Sequence, residues 1–249
     1  IGAKYTSADL AYYTKGKQLP TLIKSNIYTS LISVLFPGMS KINDEGEKVK
    51  ALSRKSIRVL TYIIYPLMTG LLVVAEPLTI FLYTEKWIAM VPFVWVVCIE
   101  AIFSVPGTIT LQSVKAMGYS DKMLKAEIFK KPILILSIII AMQYGVMAIA
   151  LTLPLNTLLE FVINGVMAHK TVDYSIREQL WDCLPATIMS VLMGAGVLLV
   201  AHLPLGLGTI ALLFVEILVG IVIYVLLSVI TRNEEFMALA SMAKQYLKR

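Results

Sequence analysis

The stretch LGTIALLFVEILVGIVIYVLLSVI at 207–230 carries a single charged residue, Glu216. A helix crosses a bilayer with about 20 mostly apolar residues, so this stretch reads as a membrane span. Six more runs of the same kind precede it. The first ends near Phe36, just before Pro37-Gly38. The others cover roughly 57–83, 87–111, 123–143, 146–168 and 180–202. Only Gln143, Tyr144 and Gly145 separate the fourth from the fifth, and Pro154 interrupts the fifth. An open sheet would leave backbone groups unpaired in lipid, so the expected fold is all-α: a polytopic membrane helix bundle of about seven spans.

Composition agrees with the spans. Of 249 residues, 58% are hydrophobic and 15% charged, with a mean hydropathy of +0.79. Soluble domains hold about 25% charged residues, so most soluble enzyme folds are excluded. Cys98 and Cys183 sit inside apolar runs, which argues against a disulfide framework. His169 and His202 are too few and too far apart for a zinc site. No HExxH, CxxC, phosphate-cradling glycine loop or Gly-x-Ser-x-Gly occurs, so the chain is read as no enzyme, with no metal and no cofactor.

The loops give an orientation. Lys41, Lys48, Lys50, Arg54 and Lys55 lie in one, Lys115, Lys122, Lys125, Lys130 and Lys131 in the next, and Lys170 and Arg177 in a third. Arg232, Lys244, Lys248 and Arg249 lie in the tail. The alternate loops hold only Lys86, a bias of sixteen to one. Basic loops stay cytoplasmic, so the C-terminus is expected inside and, with seven spans, the start outside. The net charge of +6 is accounted for by this bias, and nucleic acid is not an expected partner. The chain opens on Ile1 without a signal-peptide pattern, and the expectation is a piece of something longer.

The first span is polar on one side. Thr6-Ser7-Ala8-Asp9 has the pattern of a helix N-terminus. From there a helix reaches Phe36, with Pro20 as a kink point. Tyr13, Lys17, Lys24, Tyr28 and Leu31 fall near one face by the 3.6 period. A basic stripe on a spanning helix faces a wet cavity or another helix rather than lipid. The alternative is that Lys15 and Lys17 snorkel to the outer head groups. Four carboxylates lie in or near apolar runs: Glu76, Glu100, Glu160 and Glu216. Glu76 stands beside Pro77 near a span end and reads as structural. Glu100 and Glu160 are deeper, and an acid there either carries a proton or cation or pairs across a helix contact.

Three stretches carry a family resemblance. The first is Tyr12-Tyr13-Thr14-Lys15-Gly16 with Leu19-Pro20, then Val34-Leu35-Phe36-Pro37 and Ser40-Lys41-Ile42. The second is Pro66-Leu67-Met68, Ala75-Glu76-Pro77-Leu78, Glu85-Lys86-Trp87 and Val91-Pro92. The third is Lys115-Ala116-Met117-Gly118-Tyr119-Ser120-Asp121, Leu124, Glu127-Ile128 and Lys130-Lys131. Tyr174, Glu178-Gln179, Asp182 and Leu184-Pro185 add to them. In this order they resemble the oligosaccharide flippases (O-antigen or teichuronic-acid type) of the polysaccharide transporter family. These belong to the MOP superfamily with the MATE exporters and the lipid II flippases. Glu100 and Glu160 stand where the resemblance leads one to expect uncharged residues.

The resemblance implies about fourteen helices in two bundles, of which this chain is the C-terminal half, with the N-terminal half as a missing partner. It divides the chain into five spans of the transport bundle over 1–168, the last two spans over 169–231 and a cytoplasmic tail over 232–249. It further implies a polyprenyl-diphosphate-linked glycan as substrate, flipped across a bacterial inner membrane for lipopolysaccharide or other surface polysaccharide. On that reading Lys17, Lys24, Tyr13 and Tyr28 bind the substrate. Lys115, Lys130 and Lys131 attract its head group at the cytoplasmic mouth, and Glu100 and Glu160 couple an ion. Three alternatives stay open: a MATE-like exporter of small molecules, whose cavity should be acidic and aromatic, a membrane-embedded polysaccharide polymerase, and a structural scaffold.

Overall fold

The computed structural model describes residues 5–42, 45–204, 206, 208–238 and 241. Its helices are α1 (Ser7–Ser40), α2 (Gly46–Val73), α3 (Ala75–Tyr83), α4 (Val91–Ala116), α5 (Ser120–Ala141), α6 (Val146–Val172), α7 (Ile176–Ala201) and α8 (Thr209–Ile230). A 3-10 turn over Glu85–Met90 leads into α4. Among the described residues there is no strand.

The start of α1 follows its sequence signature. Thr6 accepts from the Asp9 amide at 3.2 Å, and Asp9 accepts from the Thr6 amide at 3.1 Å. Both satisfy donors that a helix end leaves bare. The helix does not stop near Phe36 but runs through Pro37 to Ser40. Met39 is fully buried there, with its sulfur 3.9 Å from the Ser113 hydroxyl. Burying a methionine contributes about 1.5–3 kcal/mol, comparable to the cost of a proline inside a helix.

The second apolar run is two helices. α2 begins at Gly46, well before the run, and the chain turns at Val74 before α3. Pro77 has no amide, and its ring would press on the carbonyl four residues back, at Val73, which is where α2 ends. α7 opens on a second reciprocal cap, between Ser175 and Glu178.

Six helical segments of the described residues are long and apolar enough to cross a membrane, against the seven read from sequence. The odd one is α5. Its length of roughly 33 Å suffices, but Lys125, Glu127, Lys130 and Lys131 occupy its first half and only 132–141 is uncharged. α5 rests mainly on α6.

α4 is the central element and packs against α1, α2 and α6, while α7 lies between α2 and α8. Ile57, Leu60, Ile64 and Met68 of α2 meet Val105, Ile109 and Val114 of α4 in the main core. Two glycines set close approaches. A Cβ on Gly16 would lie 2.7 Å from Phe93 Cβ and 2.8 Å from the Met90 carbonyl, fixing α1 against the start of α4. A Cβ on Gly107 would lie 3.2 Å from Phe161 Cα, fixing α4 against α6. Outward faces are apolar: Phe214, Leu218, Ile221 and Ile230 of α8 are all exposed. Lipid, not water, suits such a surface, and the chain is a multi-pass membrane protein. Most of the cytoplasmic tail expected over 232–249, residues 239–240 and 242–249, lies outside the described residues.

Candidate functional site

Between α1, α4 and α6 lies a hollow of about 310 Å³. Lys24 and Tyr28 reach it from α1, Glu100 and Ser104 from α4, and Thr157, Glu160 and Asn164 from α6. The 3.6 period of α1 places Lys24 and Tyr28 one turn apart on the face that meets α4.

Lys24 is not a free cation. Its ammonium donates to both Glu100 oxygens, at 2.8 and 2.7 Å. The Thr157 hydroxyl donates to the same carboxylate at 3.3 Å. The two side chains stay 21% and 15% exposed, so the pair stands at the wall of the hollow and not under it. Tyr28 is buried, and its hydroxyl shares a hydrogen bond with Ser104 at 3.0 Å. Asn164 donates to the Gly107 carbonyl at 3.1 Å, while its own side-chain oxygen is buried without a protein partner. Glu160 is exposed on the rim and also borders the narrow slit beside Lys130 and Lys131.

The other residues singled out from sequence fall elsewhere. Tyr13 meets Phe93 edge-on, with ring centres 5.8 Å apart, and Lys17 sits over the Tyr13 ring at 5.4 Å. Lys17 lies two turns and Tyr13 three turns from Lys24, toward the start of α1, and neither lines the hollow. Lys15 bonds Gln18 at 3.3 Å and covers the Tyr83 ring at 5.6 Å. Lys115 lies over the Phe36 ring at 5.0 Å. Lys130 is buried and paired with Glu127, whereas Lys131 is exposed, 3.8 Å from the same acid. The three lysines expected at one mouth therefore stand at two separate places. Glu76 is exposed on the first turn of α3, while Glu216 is buried on α8.

One cluster was missed by sequence reasoning. Asp182 of α7 is buried and accepts from Arg54 at 2.8 and 3.0 Å, from Arg58 at 2.9 Å and from the Tyr174 hydroxyl at 2.8 Å. Lys50 pairs with Glu178 at 3.0 Å one turn away. These contacts fasten α7 to α2. The signal was present: Arg58 and Asp182 are opposite charges inside two apolar runs, and such charges seek each other.

Against known proteins, a family model described as polysaccharide biosynthesis protein matches residues 1–92. The lipopolysaccharide biosynthesis protein WzxC of Escherichia coli (strain K12) is 29% identical over 136 residues, 55% of this chain and 27% of that protein. An uncharacterized membrane protein in the cps region of Klebsiella pneumoniae is 35% identical over 75 residues, 30% of this chain and 16% of that protein. Among solved structures, the lipid II flippase MurJ in its inward closed conformation superposes with a TM-score of 0.72 at 18% identity. That superposition covers 92% of this chain and 48% of MurJ. The chain thus spans about half the length of the solved relative, and its matches cover smaller shares of the curated ones. In sequence it is similar to polysaccharide and lipopolysaccharide biosynthesis proteins, and in fold to a lipid II flippase, in line with the resemblance that its motif stretches carry.

Proposed function

We propose that this chain is the C-terminal half of a transporter that flips polyprenyl-diphosphate-linked oligosaccharides for cell-surface polysaccharide export. It acts in a bacterial inner membrane with its C-terminus in the cytoplasm, and it transports rather than catalyses. The observation that carries the reading is the hollow lined by the Lys24–Glu100 pair and, at its rim, Glu160. A lipid diphosphate is anionic at one end, and that end needs a cation on a wet path through roughly 30 Å of hydrocarbon. Lys24 is that cation, held in place by Glu100 until a diphosphate oxygen takes over as its acceptor. Glu100 then loses its counter-ion and, together with Glu160, forms the candidate ion-coupling pair. Tyr28 and Ser104 offer hydroxyls to the sugars beside the diphosphate. Transport requires the second bundle, which rocks against this one about the site.

The test is surface glycan in a flippase-null strain carrying the complete transporter at matched protein level. Lys24→Ala should abolish most export, with insertion intact. Lys24→Arg should be milder, because charge is kept while geometry changes. Export by Lys24→Ala at the parental level would remove the hollow from the substrate path. A second reading, export of small cationic molecules, draws on the two carboxylates that line the hollow beside a single lysine. It requires Glu100→Gln to abolish drug resistance while glycan export is untouched.

A further inference from the structure

A larger hollow, of about 740 Å³, opens at the end of the bundle that carries the basic loops, between α2, α7 and the residues following α8. We propose that it binds the head group of an anionic phospholipid from the leaflet on that side, independently of the Lys24 hollow. Three guanidiniums line it: Arg54, Arg58 and Arg232. The first two are fixed by a buried acid, since Asp182 is only 3% exposed in its side chain while theirs are 36% and 38% exposed. Arg54 uses Nε and one terminal nitrogen on Asp182, and Arg58 uses Nε alone. A guanidinium has five N–H donors. Most of those on the two arginines therefore remain for an acceptor in the hollow, and one positive charge of the pair is left over after Asp182 is counted. A phosphate diester matches such a fork in geometry and charge.

The wall of the hollow explains why the anion should be a lipid. Trp181, Leu184 and Ile188 line it and stay 59%, 38% and 50% exposed. Their spacing puts them on one face of α7, and Val191, also exposed, continues it. An apolar track therefore leaves the arginines and runs into the bilayer, where acyl chains lie. Trp181 stands where the track meets the polar mouth, the depth that tryptophan favours. Acids are present too. Glu234 lies 4.0 Å from Arg58 and is 84% exposed, and Glu235 also lines the mouth. They balance the arginines from the rim, so the fixed donor array selects the ligand more than net charge does, and a lipid must displace Glu234 from Arg58.

The experiment is native mass spectrometry of the purified full chain, titrated with phosphatidylglycerol, with phosphatidylcholine, or with inorganic phosphate. One phosphatidylglycerol should be retained several-fold more tightly than phosphatidylcholine. Arg58→Gln and Arg232→Gln should each weaken it about fivefold, the equivalent of about 1 kcal/mol per basic residue near a membrane surface. Arg232→Gln touches no buried acid, so it keeps the test valid should Arg58→Gln loosen the fold. Glu234→Gln should tighten binding. Equal retention of the two lipids, or phosphatidylglycerol binding indifferent to both arginine variants, would overturn the proposal. Inorganic phosphate displacing the lipid at equal concentration would do so as well, because the apolar track would then contribute nothing.

Discussion

The Lys24 ammonium on α1 and the Glu100 carboxylate on α4 hold each other through two short contacts, 2.8 and 2.7 Å, across the wall of a hollow. They are 76 positions apart in the chain. A pair of this kind can be merely structural, and the charge-swapped protein separates the two roles.

In the doubly substituted Lys24→Glu/Glu100→Lys transporter, the ion pair is re-formed with its direction reversed. Thermal stability in detergent should return close to that of the parent, above either single variant. Glycan export should stay low, because the cation now projects from α4. Recovery of export together with stability would reduce Lys24 to a structural partner.

Asp182 anchors α7 on α2. Removing one member of a buried ion pair costs about 3–5 kcal/mol when charges are stranded. The half-exposed arginines can turn to water, so Asp182→Ala should cost less than that. The measurement is chemical unfolding in detergent micelles, with Lys55→Ala, an exposed position inside α2, as the silent control.

Helix spacing makes a third prediction. Gly16→Ala should destabilise by about 1–3 kcal/mol, the range for overpacking, because its Cβ would meet a backbone carbonyl at 2.8 Å. Gly46→Ala, with nothing within 4 Å, should not. Melting curves of the two variants in the same detergent decide it.

Topology can be read from single cysteines placed in a chain in which buried Cys98 and Cys183 are replaced by alanine. Cysteines at Lys122 and Arg177 should resist an impermeant label in intact cells, and one at Tyr144, a 78% exposed position, should react. The contrast between Lys122 and Tyr144 tests α5 directly. If both react, the charged helix does not cross, and the orientation of every segment before it reverses.

Local signals were legible in the chain and long-range ones were not. The Thr6–Asp9 cap and the uninterrupted run of α8 appear where the sequence puts them, because both depend on neighbours within a turn or two. The stripe of Lys24 and Tyr28 was legible as a face, yet what the face meets was not. Periodicity orients a side chain about its own axis and says nothing of which helix lies opposite. The sequence therefore leaves Glu100 open between an ion carrier and an acid paired across a helix contact, and does not name Lys24 as its partner. Arg58 was hidden by being one charge in a long apolar run, and its meaning appears only with Asp182 beside it. The break at Val74 was written in Pro77, but hydropathy averages over such punctuation.

α1 is held near both ends. Gly16 is wedged under Phe93 and Met90, and Met39 is sunk in the core, with roughly 35 Å of helix between them. Pro20, one turn before Lys24, removes the bond that would otherwise cross the helix at the Gly16 carbonyl. Such a helix is a beam clamped at two points with a weak joint inside the span. It resists sliding along its axis, because either clamp would have to be unpacked, and it yields most easily by bowing. Lys24 lies one turn past that joint, where Ile23, Ile27 and Tyr28 pack against the core, so a bow that changes its distance from Glu100 must also loosen their packing.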